Sequence, residues 1–287
     1  MKGAVEVVID AGLGNQLFQY AMGRSLAKRA GRPLVLDISL LLLEPEWGFD
    51  LRHFALGDHK VRGWPYLPWN LRHRAVRALA ARGVGSMRMV GEPHLQFAPE
   101  VLGVRSACIV QGYWQSERYF ESIEEQLRKE LTFASAQDER NAVCQAQIRA
   151  GKSIALHVRR GDYATPEGAA YHGICPKEYY DAALALVVSR IGPGAHLFVF
   201  SDSMGWAIEN IHYPLPTTYV DWNADRPWED LRLMSACKGL VMANSTFSWW
   251  GGWLIPGKEK VVVAPRKWYV APGLVSDLPL SRWLMAI

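Results

Sequence analysis

The stretch from Ser153 to Tyr163, SIALHVRRGDY, passes from a buried-strand pattern into a knot of charge. Ile154, Leu156 and Val158 fall on one face of a strand, and Ala155, His157 and Arg159 on the other. Arg160, Gly161 and Asp162 form its turn-like exit. In an open α/β sheet, ligands bind beyond the carboxyl ends of the strands. Two adjacent arginines at such an end are poised for an anion, because the guanidinium fork matches phosphate and stays charged. The plainer alternative is that Arg159 or Arg160 pairs with Asp162 and only closes the strand end.

Downstream of this stretch, strands and helices alternate. The pattern predicts a strand over Ile154–Val158, a helix over Pro176–Arg190 with Pro176 in its first turn, and a strand over Leu197–Phe200. Strand Thr218–Val220, helix Trp228–Cys237, strand Leu240–Ala243, helix Phe247–Leu254 and strand Val261–Val263 follow. That order is a doubly wound parallel sheet. Upstream, Val5–Ile9, the turn Asp10–Gly14, a helix over Asn15–Ala30 and a strand over Leu34–Leu36 make a βαβ unit. A basic amphipathic helix is expected over Asn70–Arg82, a strand over Cys108–Val110, and helices over Glu117–Leu131 and Ala134–Ala150. Ala150-Gly151-Lys152 is the expected boundary between two α/β domains, 1–150 and 151–287.

The 287 residues are 49% hydrophobic and 21% charged, the composition of a soluble globular protein. A net charge of +4 is too mild for a dedicated nucleic-acid binder. Cys108, Cys144, Cys175 and Cys237 are widely spaced, which points to free thiols rather than a disulfide framework or a zinc site. The N-terminal run is broken by Glu6 and Asp10 and fails as a signal peptide. No stretch approaches the ~18 uninterrupted apolar residues of a membrane span. The expectation is a cytoplasmic protein, with peripheral membrane contact through the basic helix left open.

Four places can carry chemistry. Gly12-Leu-Gly14-Asn15-Gln16 turns from a strand into a helix N-terminus, a natural site for an anion or polar ligand. Asp37 stands about where a dinucleotide fold keeps its ribose acid, but Leu17 occupies the third-glycine position of that fingerprint. His157, Arg159, Arg160 and Asp162 form the second place. Ser201-Asp202-Ser203 follows a buried strand and either binds a ribose or base or caps the next helix. Asn244-Ser245-Thr246 opens a helix whose dipole favours a phosphate, and Ser248 adds a hydroxyl one turn on. Trp249, Trp250 and Trp253 read as core rather than sugar-stacking residues, and Gly251 and Gly252 as signs of close packing. Together the second half offers arginine, hydroxyls and a carboxylate, suited to a nucleotide diphosphate. There is no Asp-x-Asp to hold a metal against it.

GLGNQLFQYA, GYWQSERYF, HVRRGDY, FVFSDS and NSTFSWWGGWL occur in this order between about Gly12 and about Trp268. Together they resemble the bacterial-type α-1,2-fucosyltransferases of glycosyltransferase family 11. The resemblance implies a GT-B-type fold of two Rossmann-like domains facing a cleft, the N-terminal one for the acceptor and the C-terminal one for GDP-fucose. It implies inverting, metal-independent transfer, without a cofactor, to the 2-hydroxyl of a galactoside such as lactose or a lipopolysaccharide galactose. Carried over by position, Arg159 meets the β-phosphate, His157 the nucleotide, and Asp202 the guanine or ribose, with Ser203 beside it. Asn244, Ser245, Thr246 and Ser248 lie by the diphosphate, and Gly14, Asn15 and Gln16 face the cleft from the other domain. Arg160 is grouped with the nucleotide and Asp162 with the catalytic residues, although both are expected to brace the turn. Asp10, Asp37 and Asp162 are unranked candidates for the base. A dinucleotide-dependent oxidoreductase and a non-catalytic carbohydrate-binding protein are the alternatives.

Overall fold

The computed structural model describes residues 3–43, 46–63 and 88–286. The basic helix expected over Asn70–Arg82 lies outside them. The chain divides into two units, Met1–Ala134 and Ser135–Ile287.

The first unit contains β1 (Val5–Val8), α1 (Leu13–Ala30), β2 (Leu34–Asp37), β3 (Lys60–Arg62), β4 (Arg88–Gly91), β5 (Cys108–Gln111) and α2 (Glu124–Glu130). Its sheet is parallel, in the order β3-β2-β1-β5-β4. Every residue of β1 and β2 is buried, as expected of parallel strands covered on both faces. α1 stops at Gly31, whose φ of 59° is left-handed and lets Arg32 N–H return to Ala27 O. Glu130 fastens α2 to α1 by accepting from Tyr20 Oη and both Nε and Nη2 of Arg24. The long helix expected over Glu117–Leu131 is instead two 3-10 turns and then α2. The chain bends where Tyr119, Phe120 and Ile123 turn into the core, with Phe120 at φ −134° and ψ 6°.

The second unit contains α3 (Glu139–Ala150), β6 (Lys152–Val158), α4 (Pro166–Tyr171), α5 (Lys177–Ile191), β7 (Ala195–Ser201), α6 (Met204–Asn210), β8 (Thr217–Tyr219), α7 (Pro227–Ala236), β9 (Gly239–Val241), α8 (Thr246–Leu254), β10 (Val261–Pro265) and β11 (Leu284–Ala286). The strands are parallel, in the order β11-β10-β9-β6-β7-β8. Counted from β6, this is the doubly wound 3-2-1-4-5-6 arrangement. One face of β6 (Ile154, Leu156, Val158) packs with Tyr179, Ala183 and Val187 of α5.

The boundary expected at 150/151 lies instead at 134/135, because α3 belongs to the second unit. Asn141 and Asn223 exchange reciprocal amide hydrogen bonds of 2.9 Å, and Asn223 also donates to Asp230 of α7 at 2.9 Å. Asp138 caps α3 by accepting from Asn141 N–H and pairs with Arg226. Burial pushes the Asp230 carboxyl up to about 7. The folded protein therefore holds a proton there between pH ~4 and ~7 that the unfolded chain has lost, so this group's contribution to stability falls as pH rises. Asp230→Asn is expected to raise the melting temperature at pH 8 by a few degrees and change it little at pH 4, read by calorimetry at both values.

All four cysteines are buried free thiols. Among the described residues no helix is long and apolar enough to cross a membrane.

Candidate functional site

In a doubly wound sheet, the crevice opens where successive connections leave in opposite directions. In the second unit that point lies between β6 and β9. Register sets which residues gather there. Val158 is level with Ser201 of β7, so Arg159 and Asp202 leave the sheet side by side. Leu156 is level with Val241 of β9, which brings the Asn244 turn out at the height of Arg159.

Arg159 forks between two carboxylates: Nη2 reaches Asp162 Oδ1 at 2.6 Å and Nη1 reaches Asp202 Oδ2 at 2.9 Å. Its guanidinium carbon lies 5.1 Å from the Tyr163 ring centroid. Burial pushes the Tyr163 hydroxyl up to about 12, so it stays a neutral donor. Asp202 holds the exits of β6 and β7 together, because its Oδ1 also accepts Arg160 N–H at 2.8 Å. A Cβ on Gly161 would stand 2.6 Å from Asp202 Oδ2, so the turn needs glycine to close over this carboxylate. In this arrangement Asp202, expected near the guanine or ribose, also orients Arg159. The Arg160 guanidinium turns away to lie 4.1 Å over the Trp206 ring. Ser203 precedes α6 without a side-chain capping bond, while its N–H takes Ser201 Oγ at 2.9 Å.

His157 is 5% exposed. Its Nδ1 lies 2.8 Å from Ser248 Oγ, and Ser248 Oγ lies 3.3 Å from Ala243 O. A carbonyl only accepts, so when Ser248 gives its proton to Ala243 O, His157 Nδ1–H is the donor to Ser248. Burial, then the neighbouring Arg159 charge, lowers the imidazole to about 3. The ring is therefore neutral.

Two expected ligand hydroxyls and an amide have other duties. Ser248 is fully buried and orients His157. Ser245 is the N-cap of α8, accepting Phe247 N–H at 3.2 Å. Asn244 is buried and clamps three loops, donating to the carbonyls of His172, Gly173 and Trp268. Thr246 stays half-buried on the first turn of α8. Trp249, Trp250 and Trp253 are fully buried core residues. The close packing expected at Gly251 is present: a Cβ there would meet Met234 Cε at 2.8 Å.

In the first unit, Gly14 and Gln16 are buried in α1. Gln16 staples the 48–50 loop to α1: Nε2 donates to Ala11 O and Gly48 O, each at 2.8 Å, and Oε1 accepts Asp50 N–H. Asn15 is half-buried and accepts from Gln115 at 2.9 Å, which joins α1 to the turn after β5. Asp37 is fully buried and accepts from the Ser39 hydroxyl at 2.5 Å. Asp162, another of the base candidates, is exposed and paired with Arg159. One residue that sequence reasoning missed is Glu92, which accepts Tyr113 and Trp114 N–H, each at 2.8 Å, and shapes the GYWQ turn.

The glycosyl transferase family 11 model matches residues 99–284. The Escherichia coli O-antigen biosynthesis glycosyltransferase WbnK is 29% identical, covering 96% of this chain and 98% of its own. An Escherichia coli alpha-1,2-colitosyltransferase is also 29% identical, with 96% of each covered. The human galactoside alpha-(1,2)-fucosyltransferase 1 is 28% identical over 90% of this chain and 67% of its own. Among solved structures, the Bradyrhizobium NodZ alpha-1,6-fucosyltransferase soaked with GDP-fucose superposes with a TM-score of 0.54 at 16% identity, covering 89% of this chain and 94% of its own. That likeness supports the fold, two parallel-sheet units of the GT-B type. With the family model spanning most of the chain and both units, the protein belongs to glycosyl transferase family 11.

Proposed function

We propose that this chain transfers L-fucose from GDP-fucose to the 2-hydroxyl of a terminal β-galactoside, with inversion and without a metal. The coarser reading, glycosyl transfer from a GDP-sugar of the fucose and colitose class, rests on family membership and the relatives above. The finer reading is supported by one arrangement. A forked arginine and the capped start of α8 stand at adjoining strand ends, joined by the 2.8 Å His157–Ser248 contact. A diphosphate seated there meets the guanidinium on one side and the positive end of α8 on the other.

The chemistry then follows from charge. As the C1–O bond of fucose lengthens, the sugar gains oxocarbenium character and the β-phosphate oxygen gains negative charge. Arg159 stabilises that growing charge, and Asp162 and Asp202 hold its guanidinium so that little reorganisation is needed. A fixed cation and a helix dipole supply the compensation that a divalent ion gives elsewhere.

The test is to incubate the protein with GDP-fucose and lactose, with and without EDTA, and to read the product linkage by NMR. The expected product is α-1,2-linked, formed at the same rate with the chelator. An α-1,3 product, or glycan binding without turnover, overturns the reading. Loss of activity with EDTA overturns its metal-free part.

A further inference from the structure

The first unit has its own switch point, between β1 and β5. There an aromatic ring is built into place without being sealed in the core. The Trp47 ring covers Gly12 at the start of α1: a Cβ on Gly12 would meet its Cζ3 at 3.0 Å and its Cε3 at 3.4 Å. Trp47 nonetheless remains 38% exposed. Its loop is fixed from below by Gln16, whose amide holds Gly48 O and Asp50 N–H on either side of Phe49. The backbone beneath it is unusual, since Ala11, without being glycine, has a φ of 58°. Strain of this kind persists only where the surroundings impose it, and it is typical of ligand sites. The Asp10 carboxylate lies two residues beyond β1 and accepts from Gln19 Nε2 at 2.6 Å.

We propose that the exposed face of Trp47 is the stacking platform for the acceptor sugar. The inference rests on the galactoside reading above. A β-galactoside has one face of C–H bonds, left bare by its axial 4-hydroxyl, and such a face lies flat on an indole. The polar edge of the sugar then turns to the strand ends, where Asp10 offers acceptor oxygens. Gln16 is a positioning residue: it never reaches the sugar but sets the height and tilt of the ring.

The experiment measures three quantities for the wild type, Trp47→Ala and Trp47→Phe: acceptor KM, GDP affinity by calorimetry, and the slow hydrolysis of GDP-fucose without acceptor. Trp47→Ala is expected to raise acceptor KM roughly 10-fold or more. GDP affinity and donor hydrolysis should stay unchanged, and Trp47→Phe should recover part of the loss. An unchanged KM in the alanine variant overturns the platform. So does a parallel loss of GDP affinity, because the ring would then act on folding or on the donor. Wild-type protein that turns over no galactoside instead overturns the reading on which the platform rests. Gln16→Leu supplies a second check: it should raise KM in the same direction with Trp47 intact, and an unchanged KM would overturn the positioning role.

Discussion

On the proposed function, Arg159→Ala is expected to lower the rate of sugar transfer ~10²–10³-fold, the usual cost of removing one donor that meets charge as it develops. The fold should survive. Asp162, the partner at 2.6 Å, has a side chain 64% exposed, so that ion pair contributes little to stability. Asp202 keeps its bond from Arg160 N–H. Initial rates at saturating GDP-fucose and lactose, with a melting curve on the same preparation, check both halves. Arg159→Lys should recover only a small part, since an ammonium is a point charge and cannot span two carboxylates and a phosphate at once. Full activity in the alanine variant would exclude Arg159 from the leaving-group role. A collapsed melting curve would assign it to holding β6 and β7 together.

The second large effect lies in the pH dependence of stability. His157 is buried and neutral, with its imidazole lowered from 6.5 to about 3. Between those values the unfolded chain binds a proton that the folded protein refuses. The group's contribution is therefore complete above about pH 6.5 and is lost as pH falls toward 3, with a slope approaching ~1.4 kcal/mol per pH unit. Asp230 and Asp50, raised by burial to about 7 and about 6, act in the opposite sense over part of the same range. A wild-type curve alone would mix these terms. His157→Asn removes the titration while keeping an N–H able to reach Ser248. Urea unfolding at pH 7, 6, 5 and 4 should show the wild type losing stability relative to this variant at each acidic step. A difference that stays constant with pH would mean that the folded protein admits the proton.

Much of this was legible before any coordinates, for physical reasons that differ by element. β6 announces itself because a strand covered on both faces must be apolar nearly throughout, and SIALHV is. The Trp-rich α8 and the turn before it are legible for the same reason. β3 and β4 were not, because KVR and RMVG are short and mostly exposed, so no burial pattern marks them. The domain boundary was misplaced because a small residue and a glycine at 150–151 look like a linker. What binds α3 is an amide pair with Asn223, far along the chain. The same distance in sequence hides side-chain duties. Gln16 and Asp202 carry the polar groups a ligand site needs, yet those groups are occupied by Gly48, Asp50, Arg159 and Arg160. Ser248 shows the limit most plainly. In a helix that is apolar on nearly every side, nothing in the sequence tells whether its one hydroxyl points to solvent or to a neighbouring strand.

The Ser248 contact has one more consequence. When Nδ1–H donates to Ser248, the other ring nitrogen of His157 can only accept, while Arg159, two residues along the chain, can only donate. The carboxyl end of β6 therefore presents a fixed polarity sequence, read along about 6–7 Å of backbone. A phosphate oxygen is repelled at the first position and welcomed at the second, whereas a hydroxyl is welcomed at the first. Inorganic diphosphate satisfies half of this pattern and a free sugar the other half. Only a molecule carrying both, joined at the right spacing, satisfies the whole, so under the proposed function the strand end favours an intact nucleotide sugar over its fragments.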